Sequence, residues 1–255
     1  MNKLFKYLLN LFPRPLLIRL SYVIRPFVAF FLRGDNYTDP IDGNSYRKFL
    51  PYGYEKVREN VLAPGTLSLE RHRLFWLYLT EKTSFFTSEG LRVLHFAPEQ
   101  AFLKRFKKLK NIKYTTTDLN SPIADVKADI CKLPFDDNSY DFIICNHVLE
   151  HIPDHLQAMR ELYRVLAPGG TAILQVPYEA DRATTFEDNS ITDPKERAQI
   201  FGQYDHVRVY GMDYFDTLRS VGFAVDALDY TQSLSEEEIN NYRLAKGELL
   251  PVCMK

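Results

Sequence analysis

The sequence predicts an α/β fold, a doubly wound, mostly parallel, seven-stranded sheet with a helical extension on its N-terminal side. Three observations predict it. From Leu91 onward, short apolar runs alternate with helical patterns, as strands joined by crossover helices do. With 45% hydrophobic and 25% charged residues among 255, the composition is globular and excludes a disordered or collagen-like chain. Residues 1–34 hold Lys3, Lys6, Arg14, Arg19, Arg25 and Arg33 but no acid, which sets them apart as an extension.

In that extension Lys3, Lys6 and Asn10 recur at helical spacing, with Leu4, Leu8 and Leu11 on another face beside Phe5, Leu9 and Phe12. Pro13 and Pro15 should break the helix, and a second apolar stretch over 16–32 is interrupted by Arg19, Arg25 and Pro26. Its longest charge-free run, 26–32, is far short of the roughly 20 residues a membrane span needs. No small-residue cleavage site follows an uninterrupted apolar core, so a secretory signal is not expected either. Residues 1–33 read instead as an interfacial segment on the inner face of the cell membrane, bases on anionic headgroups and Leu and Phe in the acyl boundary. The alternative is a helical pair packed on the main domain or on a partner subunit. Beyond the extension, 26 bases face 33 acids, so no basic groove for nucleic acid is expected. Cys131, Cys145 and Cys253 are scattered, two of them in apolar runs, which argues against disulfides and for a reducing, cytoplasmic compartment.

Residues 35–67 read as a loop-rich linker with two proline turns, at Asp39–Gly43 and Ala63–Thr66. A main domain over 68–255 opens with a predicted helix over 68–80, Trp76 on its buried side. Strands are predicted over 92–96, 113–117, 126–130, 141–145, 171–176, 223–228 and 249–254, and helices over 101–109, 154–166 and 213–221. Gly222 should end the last of these helices as a left-handed cap. Ser235 and Glu238 form a capping box for one more. The insertion at 177–210 is long, polar and aromatic enough to be a lid.

In such a sheet a ligand lies across the carboxyl ends of the strands, where strand order reverses. The first strand runs through His95 into Ala97, Pro98 and Glu99. Glycines serve at that turn because they let backbone approach a ligand; Ala97 and Ala101 are the next smallest choice, while Pro98 and Glu99 are no substitutes. Glu99 would repel a pyrophosphate, against a dinucleotide, and would attract a cation. A plain strand-to-helix turn is the alternative. Asp118 ends the second strand about 20 residues on, where an acid can bind a ribose diol, or else serve as a cap or turn residue. Asp129 can accept from an adenine amino group with Ile130 against the ring, or be a surface-turn acid.

Together with Asn146, His147 and the run from Glu161 to Gly170 (Glu-Leu-Tyr-Arg-Val-Leu-Ala-Pro-Gly-Gly), these residues resemble class I S-adenosylmethionine-dependent methyltransferases over about 91–225. The likeness is to the small-molecule branch that includes quinone-biosynthesis methyltransferases. It implies a Rossmann-like sheet whose last strand is antiparallel. It also implies S-adenosylmethionine as cofactor, bound by the Ala97–Glu99 loop with His95, by Asp118 with Leu119, by Asp129 with Ile130, and by Asn146. The chain departs from the pattern in the first motif, where the family has an acid and glycines. S-adenosylmethionine brings an ammonium and a sulfonium but no phosphate, which suits Glu99. A weaker resemblance, to a zinc ribbon in related bacterial methyltransferases, puts Asp39, Asp42, Ala63 and Thr66 at the ligand positions; two carboxylates without thiolate or imidazole make a poor zinc site, so no metal is expected, and the resemblance implies that the linker over 35–67 could keep a ribbon-like fold without one.

Methyl transfer needs chiefly alignment of the acceptor. A general base matters only for an acceptor that must lose a proton early; His147, Asp205 and His206 are the candidates, with Tyr178 also near. His151 reads as a packing or capping residue, and Asp205 with His206 could equally be an exposed turn. The acceptor is expected to be a small or lipid-linked molecule. The competing function is a non-catalytic binding or scaffolding protein on the same fold. Oligomeric state is not legible.

Overall fold

In the computed structural model, which describes residues 14–53, 57–121 and 123–255, the chain divides into two compact units. One runs up to Glu81 and takes in Thr231–Gly247; the other comprises Lys82–Tyr230 and Glu248–Lys255. The helix expected within 1–12 lies outside the described residues.

The first unit opens with α1 (Arg14–Phe31), a single helix. Pro15 falls in its first turn, where a missing N–H costs nothing, whereas Pro26 sits inside it at a cost of about 3 kcal/mol. The helix runs on through Arg19, Arg25 and Pro26, the residues that interrupt the apolar stretch. Residues 35–67, read from sequence as a linker, form two antiparallel strand pairs: β1 (Arg33–Asp39) with β2 (Asn44–Tyr46), and β3 (Leu50–Tyr52) with β4 (Arg58–Leu62). Strands of three to seven residues with proline turns between them carry too little alternation to be legible. Leu32, Tyr46, Phe49 and Ala63 pack beneath them.

The two proline turns meet. Asp39, fully buried, accepts from the Thr66 hydroxyl, from Ser68 Oγ at 3.1 Å and from the Ile41 N–H at 3.0 Å. Asp42 accepts from the Tyr46 hydroxyl at 3.3 Å, and any side chain at Gly65 would strike both of those groups. Helix α2 (Glu70–Lys82) follows, with Trp76 half-buried. Its Arg73 is wholly buried, giving its N–H groups to the carbonyls of Val61, Ser68, Tyr242 and Arg243 with the guanidinium 4.8 Å from the Phe49 ring centre. The short helix Glu236–Asn241, in the segment that returns to this unit, carries the expected Ser235–Glu238 capping box.

The second unit is built on β5 (Leu91–Phe96), α3 (Gln100–Phe106), β6 (Ile112–Asp118), β7 (Val126–Lys127), β8 (Tyr140–Cys145), α4 (His155–Val165) and β9 (Leu166–Ile173). An insertion with β10 (Phe186–Glu187), α5 (Pro194–Phe201) and β11 (Arg208–Val209) leads to α6 (Tyr214–Val221), β12 (Ala224–Leu228) and β13 (Leu250–Met254). The seven-stranded sheet has the order β12-β13-β9-β8-β5-β6-β7, parallel except for β13, which runs antiparallel to both neighbours. This is the Rossmann-like sheet with an antiparallel last strand that the sequence predicts. β7 is two residues long where a strand to residue 130 is predicted, because Asp129 turns the chain by taking the Cys131 N–H at 2.9 Å. Gly222 ends α6 at a φ of 120°. One core, including Leu94, Ile143, Leu162, Leu174 and Leu218, joins the sheet to α4 and α6.

Candidate active site

Strand order reverses between β5 and β8, whose ends lie side by side with Phe96 opposite Cys145. The residues that follow these strands therefore converge at the switch point where ligands bind. Ala97 takes a φ of 44°, the left-handed conformation that glycine adopts freely and that costs alanine about 1–2 kcal/mol. The turn thus keeps a glycine's geometry with a methyl group in place. Pro98 is buried behind it.

Glu99 is held at this turn from two sides. His95, wholly buried, meets its carboxylate through Nε2 at 2.5 Å and meets the Tyr114 hydroxyl through Nδ1 at 2.7 Å. Asn146 donates to the other carboxylate oxygen at 3.2 Å. The turn after β5 thus carries a carboxylate fixed by a histidine of that strand and by Asn146. Burial, with Glu99 nearby, pushes the Tyr114 phenol well above its ordinary value, so it stays protonated.

Asp118 closes β6. One oxygen takes the N–H groups of Asn120 at 2.7 Å and Ser121 at 2.6 Å, so it is a turn residue; the other takes no hydrogen bond among the described residues. The two readings of Asp118 are compatible. Leu119 beside it is exposed, as is Asp129, whereas Ile130 is buried.

Several of the buried polar atoms left without a hydrogen-bond partner among the described residues lie at this same edge. They include Oε1 of Gln100, Oγ1 of Thr117, Oδ1 of Asn146, Oε2 of Glu150 and Oε1 of Gln175. Each follows or closes a strand of the sheet or opens α3, and an unsatisfied buried group costs about 1–3 kcal/mol. Thr117, Glu150 and Gln175 were not among the residues the sequence singled out, because only three-dimensional burial marks them.

After β8 the chain kinks at His147, φ 55°, whose N–H goes to the Gln175 carbonyl at 2.7 Å. His147 Nδ1 lies 3.3 Å from Glu150 Oε1, the two being one helical turn apart. Burial pushes the Glu150 carboxyl up, but the hydrogen bond from His147 and the charges of His147 and His151 more than offset it, and its pKa falls below the ordinary value. His151 reaches Asp205, its Nδ1 at 3.2 Å from the backbone carbonyl and 3.5 Å from the carboxylate. The His151 and His206 rings meet edge to face at 4.7 Å. Burial lowers the pKa of His206. Asp205 and His206 thus stand against the turn that carries Glu150 and His151, not on an isolated loop. His95, Glu99 and Asn146 form a separate network.

Arg208 fixes that arrangement. Its side chain is fully buried, ion-paired to Glu187 at 2.9 Å and donating to the carbonyls of Leu149, Ile152 and Pro153. The Val207 N–H adds a bond to the Glu150 carbonyl at 3.0 Å. Beside His206 the insertion forms a cleft of about 360 Å³, lined by Pro177, Tyr178, Ile200, Phe201 and Val209 among others.

Comparison with known proteins falls on the same stretch. Residues 81–174 match the family model described as a methyltransferase domain. The chain is 38% identical over 69 residues to the demethylmenaquinone methyltransferase of Listeria monocytogenes serotype 4a, covering 27% of this chain and 29% of that protein. It is 46% identical over 48 residues to the enzyme of the same name from Staphylococcus epidermidis, covering 19% and 20%. It therefore spans less than a third of the length of these relatives. Among solved structures, a SAM dependent methyltransferase from Archaeoglobus fulgidus is 15% identical with a TM-score of 0.47, over 74% of this chain and 96% of that one. The matched residues supply β5, β6, β7 and β8 with the turns that follow them, and residues 81–174 carry a methyltransferase domain.

Proposed function

We propose that the protein transfers a methyl group from S-adenosylmethionine to a small acceptor molecule. The observation that carries this reading is the row of buried, unpartnered polar atoms on Gln100, Thr117, Asn146 and Gln175 along the carboxyl edge of the sheet, at the switch point and beside Asp118. Such a row fits a donor-rich, cationic ligand and is ill suited to a phosphate. S-adenosylmethionine, when bound, supplies a methyl group already activated by its sulfonium. The free oxygen of Asp118 takes the ribose diol, Ile130 packs against the adenine and Asp129 takes its amino group from the exposed rim. Glu99, set by His95 and Asn146, attracts the ammonium, and Ala97, Pro98 and Leu119 shape the walls. His147 and His206 are the bases within reach of an acceptor, with Asp205 orienting His151 rather than reacting. Replacing Asp118 by Ala should weaken S-adenosylmethionine binding more than about tenfold, as measured by equilibrium dialysis; unchanged affinity would remove the ribose assignment.

The acceptor class is inferred from the cleft beside His206, where Pro177, Tyr178, Ile200, Phe201 and Val209 suit a planar ring and Glu179, Gln199 and Arg208 suit its polar substituents, and from the matched relatives, which are named for a quinone. The insertion over 177–210, which forms that cleft, is inferred to act as a lid over the bound acceptor.

A second reading concerns location. On α1 the side chains of Leu20, Val23, Ile24, Phe27, Phe30 and Phe31 are all exposed, between 47% and 70%, with Arg25 among them and Arg33 just beyond the helix. Six large apolar groups on one exposed helix are the pattern of an interfacial segment, and no helix among the described residues is long and apolar enough to cross a membrane. This brings the protein to an anionic membrane surface, where a lipid-linked acceptor would be found. Deleting residues 1–33 should release it from anionic liposomes; unchanged sedimentation would refute the interfacial role.

A further inference from the structure

We propose that Glu150, His151 and His206 form a binding site for a divalent transition-metal ion of the Zn²⁺ class. Each residue offers one ligand atom, and the three atoms lie within 4.8 Å of one another. Two imidazoles and a carboxylate are a ligand set that holds zinc in sites with a free coordination position. Metal bonds of about 2.0–2.2 Å place such atoms roughly 3.3 Å apart, so side-chain rotations that draw them together by an ångström or so complete the site.

Three further features point to a cation. The first is Glu150 itself. Its side chain is 1% exposed, one oxygen is engaged by His147, and the other has no hydrogen-bond partner although it is buried beside two histidines. A buried carboxylate oxygen left open in this way is a ligand waiting for a partner.

The second is the state of the imidazoles. His151 Nδ1 lies 3.2 Å from the carbonyl of Asp205, and His206 Nδ1 lies 3.2 Å from the carbonyl of Phe201. A carbonyl can only accept, so each Nδ1 is the donor and Nε2 is the ring atom left to face a ligand. Metal-bound histidines are oriented by this kind of outer hydrogen bond.

The third is rigidity. The ligands come from two segments, the turn Leu149–His151 and the limb around β11, and these are riveted by the Val207 N–H to the Glu150 carbonyl and by Arg208 to the Leu149 carbonyl and to those of Ile152 and Pro153 just after the turn. A site needs such support to hold its geometry. Because His206 also lines the cleft, the ion would stand at its rim, with a coordination position for water or for an oxygen of the acceptor. That use rests on the methyltransferase reading, whereas the ion site does not.

The sequence gives no warning of this site, since the expectation of no metal concerns the turns at Asp39–Thr66 and His206 lies 55 positions beyond His151. The test is titration of the full chain, freed of any affinity tag, with Zn²⁺ and with Co²⁺, followed by calorimetry and by the visible bands of tetrahedral or five-coordinate cobalt. One equivalent should bind. His151→Ala, His206→Ala and Glu150→Gln should each weaken binding at least tenfold, while His155→Ala, outside the cluster, should bind as wild type does. Circular dichroism reports folding of each variant; should Glu150→Gln not fold, His206→Ala decides. Wild-type protein that takes up no stoichiometric metal, or cluster variants that bind as well as wild type, would overturn the site. Neither methyl donor nor acceptor enters the measurement, so its failure leaves the transferase reading standing, and the converse holds.

Discussion

Asp39 and Glu150 are both buried carboxylates, and they are buried to opposite purpose. Asp39 is surrounded by donors, one backbone N–H and the hydroxyls of Thr66 and Ser68, which satisfy both of its oxygens. Burial, reinforced by Asp42, raises its pKa, and the cluster acts as a polar rivet between two proline turns. Glu150 has one partner and one open oxygen, and its pKa is lowered. A carboxylate closed by its own chain holds the fold together; one left open at a strand end is available to something the chain does not supply.

Substitution should separate the two. Asp39→Ala strands two hydroxyls and an N–H, each worth about 1–3 kcal/mol when buried and unsatisfied, so urea denaturation should show a loss of about 3 kcal/mol or more. A loss under about 1 kcal/mol would show that the rivet is not structural. Glu150→Gln keeps the shape and removes no partner from its open oxygen. It should cost less than Asp39→Ala does, because the amide oxygen of Gln can still accept from His147, while altering what the site binds. Equal destabilisation by the two substitutions would break the comparison.

The histidines extend it with a smaller effect. His155 is closed: Nδ1 meets the Tyr210 hydroxyl at 2.9 Å, and burial, helped by the charge of Arg208, pushes it from 6.5 down to about 4. Its folded pKa lies below its unfolded one, so on acidification the unfolded chain takes up the proton first. Stability should therefore fall as the pH drops from about 6.5 to about 4 and this contribution should level off below that. His155→Gln should flatten that part of the stability–pH curve; an unchanged slope would assign it to other groups.

The sheet was legible because its strands are apolar runs bounded by polar ends and joined by amphipathic helices. Strand positions fall within a few residues of prediction, and the acceptors Asp118 and Asn146 stand at strand ends as read. The strand pairs in 35–67 were not legible from residue pattern, because their order depends on Asp39, Tyr46, Thr66 and Arg73 meeting across about 35 residues of chain. Nor were Glu150 and Arg208. Glu150 lies in a short turn without periodicity, and Arg208 is satisfied by backbone carbonyls that leave no mark in a sequence. His151 reads as a packing residue until the insertion brings His206 against it. Local patterns reveal elements; unsatisfied atoms emerge only when elements are assembled.

The central claim is that the open acceptors at the strand ends receive S-adenosylmethionine, and isothermal titration of the full-length protein with that compound tests it most directly. One site per chain, lost or weakened more than about tenfold in Asp118→Ala, is the predicted result. A flat trace with protein shown to be folded would contradict it.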